Sequence, residues 1–257
     1  MTVPEKTDVT VLENRLLCRW YPETRTQGFT HVDGTIAFYN HVQRYARDAR
    51  TILDLGCGRG RATEDQSAFR RSLTDLRSDG RRVIGLDVDP IGAENPSIDE
   101  FRMIRPGEPW PVDSDSVSVI VADWVAEHLE HPSDVFREAA RVLRKGGVIG
   151  LRTPNLLGYQ AAISRLIPNV FHAKIVKKVQ GGSREDRDVF PTYYRANTVR
   201  RLRHFFQEAG LIPTIIGHEP EPLYLLFSSA AFALGVFYQR HAPTWARNHI
   251  FAFGQKP

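Results

Sequence analysis

Apolar and polar positions alternate in blocks through most of the chain. Six short apolar runs have the length and composition of buried strands: 51–56, 81–89, 117–123, 148–154, 211–218 and 249–256. Between them lie segments with helical spacing of apolar residues, over 35–50, 62–77, 131–147, 198–210 and 223–239. Because strands and helices alternate with short loops, the pattern predicts an α/β fold with a mostly parallel sheet and helices on both faces.

The helix over 131–147 has the clearest end signals. Pro132 stands in its first turn, and the pair Gly146-Gly147 follows a basic stretch. Proline suits the first turn and glycine the end of a helix, so the boundaries are placed there.

Composition and cysteine content limit the class of protein. A chain of 257 residues with 42% hydrophobic content can bury a full core as one domain. Cys18 and Cys57 cannot form a disulfide framework, and the polar start MTVPEKTDVT lacks the apolar centre of a signal peptide. A cytoplasmic protein is therefore expected.

The run Leu223–Gln239 carries no charge over seventeen residues. A spanning helix needs roughly 20 apolar residues, and the strand after this run should return to the same sheet. The sequence therefore predicts a buried or surface-seeking helix.

The stretch TILDLGCGRGR at 51–61 ends a strand in three alternate glycines. Such glycines can hold phosphates, hold a nucleoside without phosphates, or only turn the chain. Arg61 stands where a dinucleotide fingerprint needs its third glycine, and no Gly-Lys-Ser/Thr follows, so neither phosphate-binding pattern fits. What remains is D-x-G-x-G-x-G.

That pattern resembles the first motif of the class I S-adenosylmethionine-dependent methyltransferases. VIGLDVDP at 83–90 and the block EPWPVDSDSVSVIVADWVAEHLEHPSDVFREAARVLRKGGVIGLRTPN, over 108–155, match later motifs in order. The resemblance covers roughly 35–155 and is nearest to the group containing the ubiquinone and menaquinone enzymes. It implies a Rossmann-like, mostly parallel seven-stranded sheet whose last strand is antiparallel, with helical insertions after strand five and before strand seven.

The resemblance also implies S-adenosyl-L-methionine as cofactor and S-adenosyl-L-homocysteine as product. By this resemblance, the residues expected to bind the cofactor are Asp54, Gly56, Cys57, Gly58, Gly60, Asp87, Val88, Asp123 and Trp124. Asp87 is assigned to the ribose hydroxyls, since a carboxylate accepts two hydrogen bonds from a diol; Asp89 is the rival. Gly60 could instead serve packing. Pro106 replaces the usual acidic residue near the adenine, leaving Glu108 or backbone for that contact.

His128 follows the fourth strand and is the candidate catalytic base, because histidine titrates near neutrality. The alternative is a histidine that orders the loop. His128 and His131 have metal-ligand spacing, but Pro132 suits a helix start, so no metal site is predicted. Tyr39, which is also a candidate substrate contact, is expected to cover the site together with His31; ordinary packing is the alternative.

The segment 156–197 breaks the regular pattern and is assigned to substrate recognition, with Tyr193, Tyr194 and Arg195 as contacts. Nine Lys/Arg stand against four Asp/Glu over 171–210. This excess indicates either a solvated charged face or contact with an anionic substrate or lipid surface through 171–204 and 223–239. Nucleic acid is disfavoured, because no aromatic-interleaved basic stripe is present.

The single predicted domain, 1–257, thus divides into a lead-in (1–34), a cofactor-binding core (35–155), the recognition insertion (156–197) and the end of the sheet (198–257). Three functions follow. The first is methyl transfer to a small or lipid-linked hydroxyl, as in a sugar, polyketide or saccharide-lipid. The second is carbon methylation of a quinone-like ring. The third is a cofactor-binding, non-catalytic partner subunit. The sequence predicts neither the acceptor nor the oligomeric state.

Overall fold

The computed structural model describes residues 15–77, 80–161 and 190–257. Its centre is a seven-stranded sheet: β1 (Thr51–Leu55), β2 (Arg82–Asp87), β3 (Glu100–Met103), β4 (Val117–Asp123), β5 (Leu143–Pro154), β6 (Ile212–His218) and β7 (His249–Gln255). The spatial order is β3-β2-β1-β4-β5-β7-β6. Only β7 runs antiparallel to its neighbours, β5 and β6. The Rossmann-like fold implied by the sequence is therefore confirmed.

Helices flank the sheet. They are α1 (15–20), α2 (Thr24–Gln27), α3 (Gly34–Ala46), α4 (Ala68–Thr74), α5 (Pro132–Val142), α6 (Val199–Glu208) and α7 (Ser229–His241). On one face, Phe136 of α5 and Phe206 of α6 pack in a core with the apolar side chains of β1, β4 and β5. On the other, Phe38 and Val42 of α3 pack against Phe251 and Phe253 of β7. Both faces are thus covered, which buries most of β2, β4, β5 and β7.

The five predicted helices are all shorter in the structure, and two of them differ in ways that have a clear physical reason. Helix α5 ends at Val142, not at 147, because the carbonyls of Arg141 and Val142 accept hydrogen bonds from the amides of Asp115 and Ser116. The helix predicted over 62–77 is reduced to α4. Ser67 caps α4 by accepting from the Arg70 amide, and a 3₁₀ turn precedes it at Arg61–Glu64.

Strand β3 was not found in the hydrophobic pattern, because it is short and two of its four residues, EFRM, are charged. Most of the insertion after β5, including the positions 171–189 of the basic stretch, lies outside the described residues.

The apolar segment before β7 forms a 3₁₀ turn at Leu223–Leu225 and then α7. No helix among the described residues is long and apolar enough to cross a membrane. Because β6 ends at His218 and β7 begins at His249, α7 connects two strand ends on the same edge of the sheet. The parallel strands β1, β2 and β4 also end at this edge, where ligands bind in such sheets.

Candidate functional site

The glycine turn after β1 combines two close approaches with one open position. A Cβ on Gly56 would lie 2.5 Å from Val125 Cγ2, and one on Gly60 would lie 2.4 Å from Asn95 Oδ1. These two glycines let the turn pack against the loops after β4 and β2. Gly58 has φ +47° and nothing within 4 Å of its added Cβ, so the chain presents bare backbone to open space there.

Asp87, at the end of β2, is tied to this turn. One carboxylate oxygen, Oδ2, accepts from the Gly58 amide at 2.8 Å, and the other accepts from the Asp89 amide at 3.0 Å. Each oxygen keeps a further lone pair, so the carboxylate can still bind a diol. Asp89 has a local task, since its side chain accepts from the Ile91 amide and caps the next turn. Val88 between them is exposed.

Asp54 is half-buried near the end of β1 and lies close to two other carboxylates. Burial, and then the charges of Asp123 and Asp87, raise its pKa to about 7. The nearness of Asp54 and Asp87 favours a cation at this edge of the sheet. Cys57 plays a different part: its side chain packs toward Gly85 in β2, and its carbonyl accepts from Asn95 Nδ2 at 2.8 Å.

Asp123 is held by Arg152 of β5, a residue that the sequence analysis did not single out. Two hydrogen bonds of 2.6 Å join Arg152 Nε and Nη2 to the two Asp123 oxygens. Nη1 of the same guanidinium donates to Thr35 Oγ1 of α3 at 3.0 Å. Arg152 is only 5% exposed, so this is a buried ion pair that ties β4, β5 and α3 together.

Aromatic rings enclose that guanidinium. Its carbon lies 5.0 Å from the ring centroid of Trp124 and 5.5 Å from that of Phe38. Trp124 has φ +59°, an uncommon conformation for tryptophan, and its amide donates to the Arg152 carbonyl. Tyr39 is buried beside Asp123. Burial and the neighbouring carboxylates hold its pKa well above the ordinary value, so its hydroxyl stays protonated.

Two histidines that the sequence analysis did not identify complete this edge. The ring of His249, at the start of β7, meets Trp124 edge to face at 4.9 Å, and the His218 ring lies 6.4 Å from it. Burial, with Arg152 nearby, lowers the pKa of His249 to about 3 and that of His218 to about 4. Both rings are therefore neutral at physiological pH. His249 Nδ1 is buried without a hydrogen-bond partner among the described residues.

These residues could not be found from the sequence, because arginine and histidine inside predicted strands carry no motif. Only their position gives a signal: each stands at the strand end that faces the ligand edge.

The predicted substrate residues form a second group around the loop after β4. The amides of Tyr193 and Tyr194 both donate to the Glu127 carbonyl, and Arg195 donates to the Glu130 carbonyl at 2.6 Å. His128 Nδ1 lies 2.8 Å from the Pro191 carbonyl. A carbonyl can only accept, so Nδ1 carries the proton and Nε2 of the neutral ring has the free lone pair.

Beneath this loop, the Glu127 side chain bonds to other groups of the protein. Its carboxylate accepts from Thr153 Oγ1 at 3.0 Å, and the same hydroxyl accepts from Asn197 Nδ2. Glu108, the predicted adenine contact, is exposed, and its carboxylate lies 3.7 Å from the Arg105 guanidinium. Glu23 accepts from the His31 amide and pairs with its ring, so His31 is engaged within the lead-in.

The chain is similar in sequence to known methyltransferases. Residues 53–151 match the family model described as a methyltransferase domain. A probable S-adenosylmethionine-dependent methyltransferase from Mycolicibacterium smegmatis is 35% identical over 150 residues, which are 53% of this chain and 52% of that protein. One from Mycobacterium tuberculosis is 29% identical, over 49% of this chain and 43% of that protein. The chain thus spans about half the length of the curated relatives it matches.

Solved structures share the fold at low identity. Geranyl diphosphate C-methyltransferase from Streptomyces coelicolor has a TM-score of 0.52 and 15% identity, covering 86% of this chain and 78% of that one. A SAM-dependent methyltransferase from Archaeoglobus fulgidus has a TM-score of 0.52 and 13% identity, covering 91% and 97%.

The buried ion pair gives a stability prediction. Arg152→Met leaves the Asp123 carboxylate buried without its partner, so the free energy of unfolding should fall by about 3–5 kcal/mol in urea denaturation. The double variant Asp123→Asn/Arg152→Met should lose clearly less, because no charge remains unpaired. Arg137→Met, which removes an exposed pair with Asp134, is the control and should cost under about 1 kcal/mol. Equal losses in the single and double variants would contradict this account.

Proposed function

We propose that this chain is a class I S-adenosylmethionine-dependent methyltransferase, which binds S-adenosylmethionine at the ends of β1, β2 and β4 and methylates a hydroxyl group of a small or lipid-linked acceptor. The observation that carries the proposal is the Asp87 carboxylate, fixed by the Gly58 amide beside an open backbone turn. The family match over 53–151 supports it.

The residues at this edge fit such a cofactor chemically. Asp87 has free lone pairs for a ribose diol, and the open backbone at Gly58 allows close approach. The neighbouring carboxylates Asp54 and Asp87 favour the positive charges of an ammonium and a sulfonium group. When bound, S-adenosylmethionine supplies a methyl group activated by the sulfonium. The chain's part is to hold that group and the acceptor in line and to exclude water.

His249 and His128 are suited to different roles toward the acceptor. His249 has a pKa of about 3, so at neutral pH it accepts a hydrogen bond but does not hold a proton. His128 has its Nδ1 proton fixed on the Pro191 carbonyl, which leaves Nε2 as the basic atom. We therefore assign His128 as the base for a hydroxyl and His249 as an orienting acceptor. Tyr39, Tyr193, Tyr194 and Arg195 remain the proposed walls of the acceptor site.

The ribose assignment is tested by calorimetry with S-adenosylhomocysteine. Asp87→Ala should weaken binding by about 1.5–3 kcal/mol, because charge-assisted hydrogen bonds to the diol are lost. Asp89→Ala is the matched control and should change the dissociation constant much less. No binding by the unaltered protein would refute the cofactor assignment, and a larger effect of Asp89→Ala would move the role to that residue.

The carboxylate cluster predicts a pH dependence. Asp54 has its pKa raised to about 7 in the free protein, so it is partly protonated at neutrality. A cationic ligand favours its ionised form. S-adenosylmethionine should therefore bind more tightly as the pH rises from about 5.5 toward 7, by up to roughly tenfold per unit, with release of a proton. Calorimetry at pH 6.5 in two buffers of different ionisation enthalpy measures that proton. Asp54→Asn should bind without this release; the same release in both proteins would exclude Asp54 as its source.

Kinetic measurements distinguish the proposed roles of His128 and His249. An acceptor is first found by methyl transfer from labelled S-adenosylmethionine to hydroxyl compounds and lipid extracts. His128→Gln should then lower kcat by about 10²–10⁴-fold with S-adenosylhomocysteine affinity unchanged. His249→Gln should mainly raise KM for the acceptor, since it removes an orienting contact. If His128→Gln leaves kcat unchanged, His128 is not the base and its assignment is wrong.

A further inference from the structure

Helix α7 is apolar on both of its sides, although only one side is covered. Its inner side places Phe232 and Val236 in a buried cluster with Leu16 and Tyr21 from the lead-in. Its outer side carries Leu234 and Phe237, which are 69% and 60% exposed. These two residues are three positions apart and therefore share one face of the helix. The face that should be polar on a surface helix is apolar here.

Exposed apolar side chains are also found just beyond both ends of the helix. Phe227, just before α7, is 73% exposed, and Trp245, just after it, is 59% exposed. Large apolar side chains gathered on one exposed segment mark an interaction surface in soluble proteins. We call Phe227, Leu234, Phe237 and Trp245 the outer α7 surface.

The charge of α7 and the residues that flank it indicates which kind of partner the outer α7 surface fits. From residue 222 to the last residue, 257, the sequence has no aspartate or glutamate. Arg240 is exposed at the end of α7, with its guanidinium 5.9 Å from the Trp20 ring centroid, whereas the half-buried Arg247 guanidinium donates to the Ala242 and Gly217 carbonyls. A segment with exposed aromatic and aliphatic side chains, an exposed arginine and no carboxylates of its own is complementary to the interfacial layer of an anionic membrane.

We propose that the outer α7 surface docks the protein on an anionic lipid surface, with α7 lying in the plane of the interface. Its 13 residues are suited to this, because an interfacial helix needs an apolar face and flanking cations but not the length of a bilayer. Phe227 and Trp245 would enter at the headgroup level, where aromatic rings are favoured. Arg240 would meet the phosphate groups there.

Docking through α7 would also explain how a lipid-linked acceptor reaches the site, and this step rests on the proposed function. α7 connects β6 and β7, whose facing ends carry His218 and His249. Docking through α7 therefore places the acceptor edge of the sheet next to the membrane. A lipid-linked acceptor whose polar end stands in the headgroup layer would reach that edge without leaving the bilayer.

Vesicle co-sedimentation of the full chain tests the docking. The protein should sediment with vesicles of phosphatidylglycerol and phosphatidylcholine, and much less with phosphatidylcholine alone. Phe237→Ser should weaken the apparent affinity for the anionic vesicles by about tenfold or more, since it removes a large apolar contact. Ile212→Ser is the matched control: Ile212 is 59% exposed at the opposite edge of the sheet, and its variant should bind normally. Arg240→Gln should weaken binding several-fold, whereas Arg137→Gln on α5 should not.

Three results would overturn the proposal. They are no sedimentation with anionic vesicles, equal loss in the Phe237 and Ile212 variants, and a dimer in sedimentation velocity that Phe237→Ser abolishes. The last would assign the outer α7 surface to a second copy of the chain. S-adenosylhomocysteine calorimetry on each variant provides a separate readout: unchanged affinity shows an intact fold. If the unaltered protein docks but binds no S-adenosylhomocysteine, the proposed function fails while the docking proposal stands.

Discussion

The ion pair between Arg152 and Asp123 is the interaction on which the arrangement of the site depends. A buried guanidinium is unfavourable unless each of its donors is satisfied, and here one carboxylate, one threonine hydroxyl and two aromatic faces surround it. The pair fixes the ends of β4 and β5 and the first turn of α3 relative to one another. Trp124 and Tyr39 lie beside this pair, and the charge of the Asp123 carboxylate contributes to the raised pKa of Asp54.

The carboxyl edge of the sheet therefore contains two electrostatic regions. On the side of β1 and β2, Asp54 and Asp87 lie near each other and bring negative charge. On the side of β7, burial and Arg152 keep His249 and His218 neutral. The boundary between the regions runs through the Asp123–Arg152 pair. A cationic ligand is favoured on one side of this boundary and a neutral hydrogen-bond donor on the other.

Much of this architecture could be predicted from the sequence, and the failures have physical reasons. Apolar runs identified six of the seven strands, since each of those six is rich in apolar residues. Strand β3 was missed because it is short and two of its four residues, EFRM, are charged. The end of α5 was misplaced because backbone amides of Asp115 and Ser116, remote from the helix in sequence, take the carbonyls that would continue it. Arg152 and His249 were missed because their roles arise from tertiary contacts alone. Motif spacing brought attention to Asp54, Gly58 and Asp87, whose significance rests on local backbone geometry.

The hydrogen bond from the Gly58 amide to Asp87 has a consequence for the speed and strength of ligand capture. The protein's own carboxylate holds the glycine turn in one shape, so the loop does not have to be ordered by the incoming nucleoside. Fixing a flexible backbone costs about 1–2 kcal/mol per residue, and a turn that is shaped during folding has already met that cost. If Asp87 binds the ribose as proposed, those contacts contribute to affinity without the cost of ordering the turn, and association requires no slow rearrangement of it.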